Sequence, residues 1–258
     1  MSYPIENSSA QQTHASNSNI SYFTNRSGFR LTCNISIKKP DDKKIWIITQ
    51  MWPPEVFIIC EFLHENLTAN TFKFNFTGEG DSQGEFTFAG YIRAANDLDD
   101  AVHFLVERGF DVEGIIGISM CANSPIIYSA LYGQVKNIVT LSARYRMTVL
   151  PDFLQEVYEV VRQNREIVHN AFGKQLRLTW EMIEETINVD MKYYCERVQG
   201  DIYIIHGDND EICPYADSLE YVNALKGKCR GHFTLGCDHV YFGVFDEVAE
   251  IIEQIMSK

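Results

Sequence analysis

Gly117-Ile118-Ser119-Met120-Cys121 is the stretch on which the reading of this chain turns. It follows a short apolar run over 114–117 and precedes a helix-like segment starting near Ala122. A strand, a sharp turn carrying a serine and then a helix is the context in which G-x-S-x-G lifts a nucleophilic hydroxyl out of a sheet. Here Cys121 stands where the last glycine would be. Because G-x-S alone is common by chance, order along the chain adds more than the match itself. An acid candidate, Asp210, and a histidine candidate, His239, follow later.

Outward from this turn, short apolar runs alternate with helical patterns. Residues 45–49 form a compact apolar run between Asp41-Asp42-Lys43-Lys44 and Pro53-Pro54, which predicts a strand buried on both faces. Further strands are expected over 20–23, 29–38, 72–76, 114–118, 137–141, 201–205 and 231–235. The clearest helix is 91–108, where Ile92, Ala95, Leu98, Val102 and Leu105 recur at spacings of three and four. Helices are also expected over 54–67, after Ser119, near 215–225 and over 242–256. From residue 45 onward the alternation predicts an α/β fold with a mostly parallel central sheet flanked by helices. The exception is 147–195, where 149–172 and 179–194 read as helical. That stretch is expected to be a small helical cap inserted into the 20–258 domain, over the carboxyl edge of the sheet where open α/β sheets place ligands.

Bulk properties narrow the function. The 258 residues suffice for one large domain, and 45% hydrophobic with 22% charged residues is ordinary globular composition. A net charge of -13 argues against nucleic acid and anionic membrane surfaces as partners. No run approaches the roughly 18 apolar residues of a membrane span. Residues 1–19 are polar and rich in Ser, Asn and Gln, which predicts a disordered tail and not a signal peptide. Seven cysteines without C-x-x-C or zinc-ligand spacing predict reduced thiols in a cytoplasmic protein and no metal site. No cofactor is implied. Gly78-Glu79-Gly80 lacks the third glycine or lysine of a nucleotide loop, and Glu79, Asp81 and Glu85 would repel phosphate.

Three further segments carry a family resemblance. Asn75-Phe76-Thr77-Gly78-Glu79-Gly80-Asp81-Ser82 is similar to a strand-end segment D-x-x-G-x-G-x-S, and Ile205-His206-Gly207-Asp208-Asn209-Asp210-Glu211-Ile212-Cys213-Pro214 to H-G-x-x-D-x-x-V-P. Gly236-Cys237-Asp238-His239 looks like a loop delivering a histidine. With the order Ser, Asp, His, the chain from residue 45 onward resembles the α/β-hydrolase superfamily, particularly its small intracellular serine esterases and acyl hydrolases with a helical cap. The resemblance implies a catalytic triad: Ser119 as nucleophile, His239 as general base and Asp210 as the orienting acid. A serine hydroxyl needs an imidazole to accept its proton during attack, and a carboxylate on the far ring nitrogen fixes the tautomer.

Rivals exist for each role. His103, His206 and His232 compete with His239, and Asp208, Glu211 and Asp238 with Asp210. Cys121 is an alternative nucleophile, because a helix N-terminus lowers a thiol pKa. A second departure lies after the 45–49 strand, where most relatives carry His-Gly and this chain carries Gln50-Met51-Trp52-Pro53-Pro54. The oxyanion hole would then use the Met120 amide with that of Met51 or Trp52, with the Gln50 side chain as a further donor. The resemblance implies cleavage of a small-molecule carboxylic ester or thioester through an acyl-enzyme. Tyr145, Phe153, Phe172, Trp180, Tyr193 and Tyr194 are available to line an apolar pocket. Acyl transfer or C–C cleavage on the same triad, or an inactive binding module, are the alternatives that the altered 50–54 segment raises. Oligomeric state is not legible in the sequence.

Overall fold

The computed structural model describes residues 21–50, 58–88, 90–149, 152–171 and 174–258. The expected tail, 1–19, lies outside the described residues. The strands are β1 (Ser21–Thr24), β2 (Arg30–Ser36), β3 (Lys44–Gln50), β4 (Asn70–Phe74), β5 (Asp111–Ile118), β6 (Asn137–Leu141), β7 (Glu166–Ala171), β8 (Lys174–Thr179), β9 (Asp201–Gly207) and β10 (Cys229–Leu235). The helices are α1 (Ile58–Asn66), α2 (Tyr91–Glu107), α3 (Asn123–Leu131), α4 (Asp152–Asn164), α5 (Trp180–Ile187), α6 (Met191–Arg197), α7 (Ala216–Ala224) and α8 (Phe245–Met256).

Eight strands form one sheet in the order β1-β2-β4-β3-β5-β6-β9-β10. β1 and β2 run antiparallel to their neighbours, whereas β4, β3, β5, β6, β9 and β10 are mutually parallel. Period-two alternation explains why the central strands read as continuous apolar runs. Ile45 and Ile47 of β3 enter the core on one face, with Ile115, Ile138, Ile202 and Ile204. Trp46 and Ile48 enter the core on the other, with Ile116, Ile118, Val139, Tyr203 and Ile205. Both faces therefore need apolar side chains, and helices supply the cover. α2, α3, α6 and α7 close the first core, α1 and α8 the second. On α2 the predicted stripe is real: Ala95, Leu98, Val102 and Leu105 are buried and Ile92 is partly so.

The chain between β6 and β9 departs from the reading as helical throughout. β7 and β8 pair as an antiparallel hairpin between α4 and α5, in register from Glu166 opposite Thr179. Each strand of the hairpin is only six residues long. Such short strands are hard to separate from the flanking helical pattern. α4, the hairpin and α5 share a small apolar cluster of their own around Val161, Leu178 and Ile183. α6 instead buries Met191 and Cys195 in the first core of the sheet.

Candidate active site

The sharp turn sits where the motif put it. β5 ends at Ile118 in extended conformation, Ser119 follows at φ +56°, and residues Ser119–Ala122 form one tight 3-10 turn leading into α3. A left-handed φ is unusual for a residue with a Cβ and persists only where surrounding packing fixes it. Two neighbours do so here. A Cβ on Gly117 would lie 2.8 Å from Pro125 Cγ and 2.9 Å from Ala122 Cα, so only glycine lets α3 close onto β5. Cys121 turns inward, is fully buried, and donates its thiol proton to Thr49 Oγ1 (2.9 Å) on β3. Burial pushes that thiol well above its ordinary pKa. The alternative of Cys121 as nucleophile is thereby corrected: it is a protonated packing residue.

Ser119, Asp210 and His239, though 120 and 29 residues apart at their two links, are brought together. Ser119 Oγ lies 2.6 Å from His239 Nε2, and His239 Nδ1 lies 2.8 Å from Asp210 Oδ2. All three are almost fully buried, at 6%, 6% and 5% exposure for Ser119, Asp210 and His239. The network is consistent with the tautomer in which Nδ1–H donates to the carboxylate and Nε2 accepts from the serine hydroxyl. Asp210 Oδ1 accepts from the amides of Ile212 (2.9 Å) and Cys213 (2.7 Å). Burial pushes the Asp210 carboxyl up, but hydrogen bonds from His239, the Cys213 amide and Ser142 outweigh it and hold the group below its ordinary range.

The two loops that carry the acid and the histidine are fastened to each other. Asp208 N donates to Leu235 O (2.9 Å) and Asn209 N to Cys237 O (3.1 Å). Gly207 makes the approach possible, since a Cβ there would sit 2.4 Å from Cys237 O. Ser142 and Tyr241 escaped the sequence reading, and His206, weighed there as a rival base, has a supporting place instead. Ser142 Oγ and Tyr241 Oη lie 2.9 Å apart, and Tyr241 Oη donates to Ile205 O (3.0 Å). This ties β6, β9 and the histidine loop together beneath the carboxylate. His206, buried on β9, donates from Nε2 to Cys213 O (2.8 Å) and stands 3.5 Å from Asp210 Oδ2. Desolvation lowers its pKa, so it is the neutral underside of the acid site.

The other rivals fall elsewhere. His103 is on the surface beside the Asp99 carbonyl (2.8 Å), and His232 bonds Ser218 Oγ (3.0 Å) while stacking on Tyr215. Asp208 and Glu211 are exposed, and Asp238 Oδ1 accepts from the amides of Val240 and Phe242, pinning the turn after His239. The Met120 amide lies in the first turn after the serine, where helix N–H groups lack intrahelical acceptors. Gln50 closes β3 opposite Ile118. Met51 and Trp52, the other oxyanion candidates, lie outside the described residues. So do Phe172 and the Phe153 side chain. Tyr193, expected to line a pocket, is instead exposed, with Arg197 3.6 Å over its ring. Tyr145 packs edge-on against Tyr221 at 5.0 Å, and Trp180 packs in the small cluster of the insert. Residues 75–82 form a loop pinned by Ser82, which donates to Asn75 O (2.7 Å) and accepts from Thr32 N (2.9 Å).

No protein-family model matches the chain, and no curated protein matches it in sequence. Solved structures do match in shape. Est1E from Butyrivibrio proteoclasticus, solved with ferulic acid bound, is 18% identical over 92% of this chain and 98% of its own, with a TM-score of 0.72. An esterase from Exiguobacterium antarcticum is 13% identical over 92% of this chain and 99% of its own, at 0.70. An alpha-beta serine hydrolase homologue from Coxiella burnetii is 16% identical over 96% and 100%, at 0.63. No helix among the described residues is long and apolar enough to cross a membrane. Strand order, the turn at Ser119 and these likenesses lead to one conclusion: the chain has the α/β-hydrolase fold.

Proposed function

We propose that the protein is a serine hydrolase that cleaves a carboxylic ester through an acyl-enzyme. The observation that carries this reading is the chain of hydrogen bonds Ser119–His239–Asp210, at 2.6 and 2.8 Å. Ser119 Oγ attacks the acyl carbon as His239 Nε2 takes its proton, and the imidazolium returns that proton to the leaving oxygen. Water then repeats the sequence on the acyl-enzyme. Asp210 holds the imidazole in the required tautomer and stabilises its charged form. The Met120 amide, with that of Met51 or Trp52, stabilises the tetrahedral oxyanion. Thioesters are cleaved by the same steps with a better leaving group.

Residues 147–195 act in this reading as a cap over the acyl pocket. Est1E holds ferulic acid, an aromatic acid, so aromatic-acyl esters belong beside short aliphatic ones in a first screen. All seven cysteines are free thiols, which supports a reducing compartment such as the cytoplasm. Gln50-Met51 in place of His-Gly favours, as a second reading, transfer of the acyl group to an acceptor other than water. Rapid mixing with a p-nitrophenyl ester, followed by intact-mass analysis, tests the main reading. A burst of p-nitrophenol and an acyl adduct on Ser119 are expected. Turnover that survives in Ser119→Ala would overturn it, and ester formation with an added alcohol in place of free acid would favour the second.

A further inference from the structure

Arg144 lies three residues beyond β6. Its main chain is held without help from its side chain. The Arg144 carbonyl accepts from Asn123 Nδ2 (2.8 Å), in the first turn of α3, and from Tyr221 Oη (3.0 Å) of α7. The next two amides, of Tyr145 (2.9 Å) and Arg146 (3.2 Å), donate to Asp217 Oδ2 on α7. From this fixed base the half-buried side chain reaches in two directions. Nη1 donates to Val149 O (3.2 Å) at the start of the insert, and Nη2 to Ile212 O (2.9 Å) in the turn that carries Asp210.

The second of these bonds bears on the triad. Ile212 O and Cys213 N belong to one peptide unit, whose C=O and N–H point opposite ways. On one side that unit accepts from the Arg144 guanidinium; on the other it donates to Asp210 Oδ1 at 2.7 Å. A single peptide therefore stands between a cation and the carboxylate, its dipole aligned with both charges. Asp210 Oδ2 meets His239 Nδ1 at 2.8 Å, so the contacts run in series from Arg144 through the peptide, Asp210 and His239 to Ser119. Hydrogen bonds in series polarise one another, and those with a charged donor are the stronger ones. The turn has further ties: the Ile212 amide also meets Asp210 Oδ1 (2.9 Å), and the Cys213 carbonyl accepts from His206 Nε2 (2.8 Å). Of these ties, the one from Arg144 brings a positive charge.

We propose that Arg144 is a positioning residue for Asp210, acting through the Ile212–Cys213 peptide to hold the carboxylate against His239. This rests on the hydrolase reading above. Arginine suits the place because its planar fork serves two carbonyls at once in a fixed orientation, where a lysine offers a point charge. The same fork joins the start of the insert to the acid turn, so the two share one anchor.

A double-mutant cycle separates positioning from packing. Arg144→Gln removes the charge and keeps a donor, and the main-chain bonds around residue 144 do not depend on it. It is expected to lower kcat for p-nitrophenyl acetate about tenfold to a hundredfold, the range of one charge-assisted hydrogen bond, with KM within about twofold. Arg144→Lys, which keeps the charge without the fork, should lose only about threefold. In the Asp210→Asn background both losses should shrink to less than about twofold, because groups that act as one unit are not additive. The two variants are read separately, so the cycle survives if one of them does not fold. Independently of turnover, the downfield proton resonance of His239 Nδ1–H, assigned by its loss in His239→Gln, is expected to shift in folded Arg144→Gln and to shift less in Arg144→Lys. If the wild type cleaves no ester, that shift still supports the positioning role, and the hydrolase reading alone fails. An equal loss of kcat in both backgrounds, or a resonance that both variants leave in place, overturns the positioning role and leaves the hydrolase reading standing.

Discussion

The carboxyl edge of the sheet and the insert that follows β6 are built on opposite economies. At the edge, Ser119, Asp210 and His239 are nearly sealed from water, and each is held by at least one further hydrogen bond or a fully buried neighbour. Around α4, the hairpin and α5, the buried centre among the described residues is Val161, Leu178 and Ile183, and Val160 and Val168 face solvent. A region with few buried apolar contacts opens locally at low free energy, whereas one embedded in the main core opens only with the whole domain. In the reading proposed above, the reacting groups are held on well-packed strand ends, while the insert that would meet the substrate is the less tightly packed part.

Substitution at the edge should be felt most. Asp210→Asn keeps the shape but lets the imidazole adopt the wrong tautomer, and kcat is expected to fall about 10⁴-fold on any ester. The same variant carries a pH signature. The Asp210 carboxyl is held below its unfolded value near 3.9, so it contributes stability that is complete above that pH and drains away as pH falls through the folded value. Urea midpoints of the wild type should therefore drop more steeply below pH 4 than those of Asp210→Asn. Equal slopes would mean that the carboxylate is not favoured by the fold.

In the insert, Ile183→Ala removes a core side chain, a change worth about 2–5 kcal/mol in a well-packed site. Because the cluster is separate, the loss should appear as faster amide exchange over 152–187, with β3, β5 and β6 unaffected. Turnover of an acetyl ester should stay within about threefold of wild type, while esters with long acyl groups should lose more. Equal acceleration of exchange in the central strands would erase the contrast between the two regions.

How much of this was legible in the sequence follows the same division. β3 and β6 read clearly, because strands buried on both faces have no choice but continuous apolar side chains, and α2 announced itself by its stripe. Ser119, Asp210 and His239 were legible because each ends or follows a strand in a fixed order. Ser142 and Tyr241 were not, nor was the supporting position of His206, since these arise only when β6, β9 and the histidine loop come side by side. The β7–β8 hairpin was hidden by its shortness. The second departure, 50–54, bears on Met51 and Trp52, which lie outside the described residues.

The smallest effect is expected at Cys121, two residues from the proposed nucleophile. Cys121→Ala should cost about 1 kcal/mol through lost packing and the Thr49 hydrogen bond, with activity retained. Chemical denaturation and ester turnover on the same preparation check both halves of that statement.

The most direct test of the central claim is covalent labelling by a fluorophosphonate of the wild type, Ser119→Ala and Cys121→Ala, each shown to be folded. Stoichiometric labelling of the wild type and Cys121→Ala, abolished in Ser119→Ala, is the result that an activated Ser119 predicts. A folded wild type that takes no label, or a Ser119→Ala protein that still does, would contradict it.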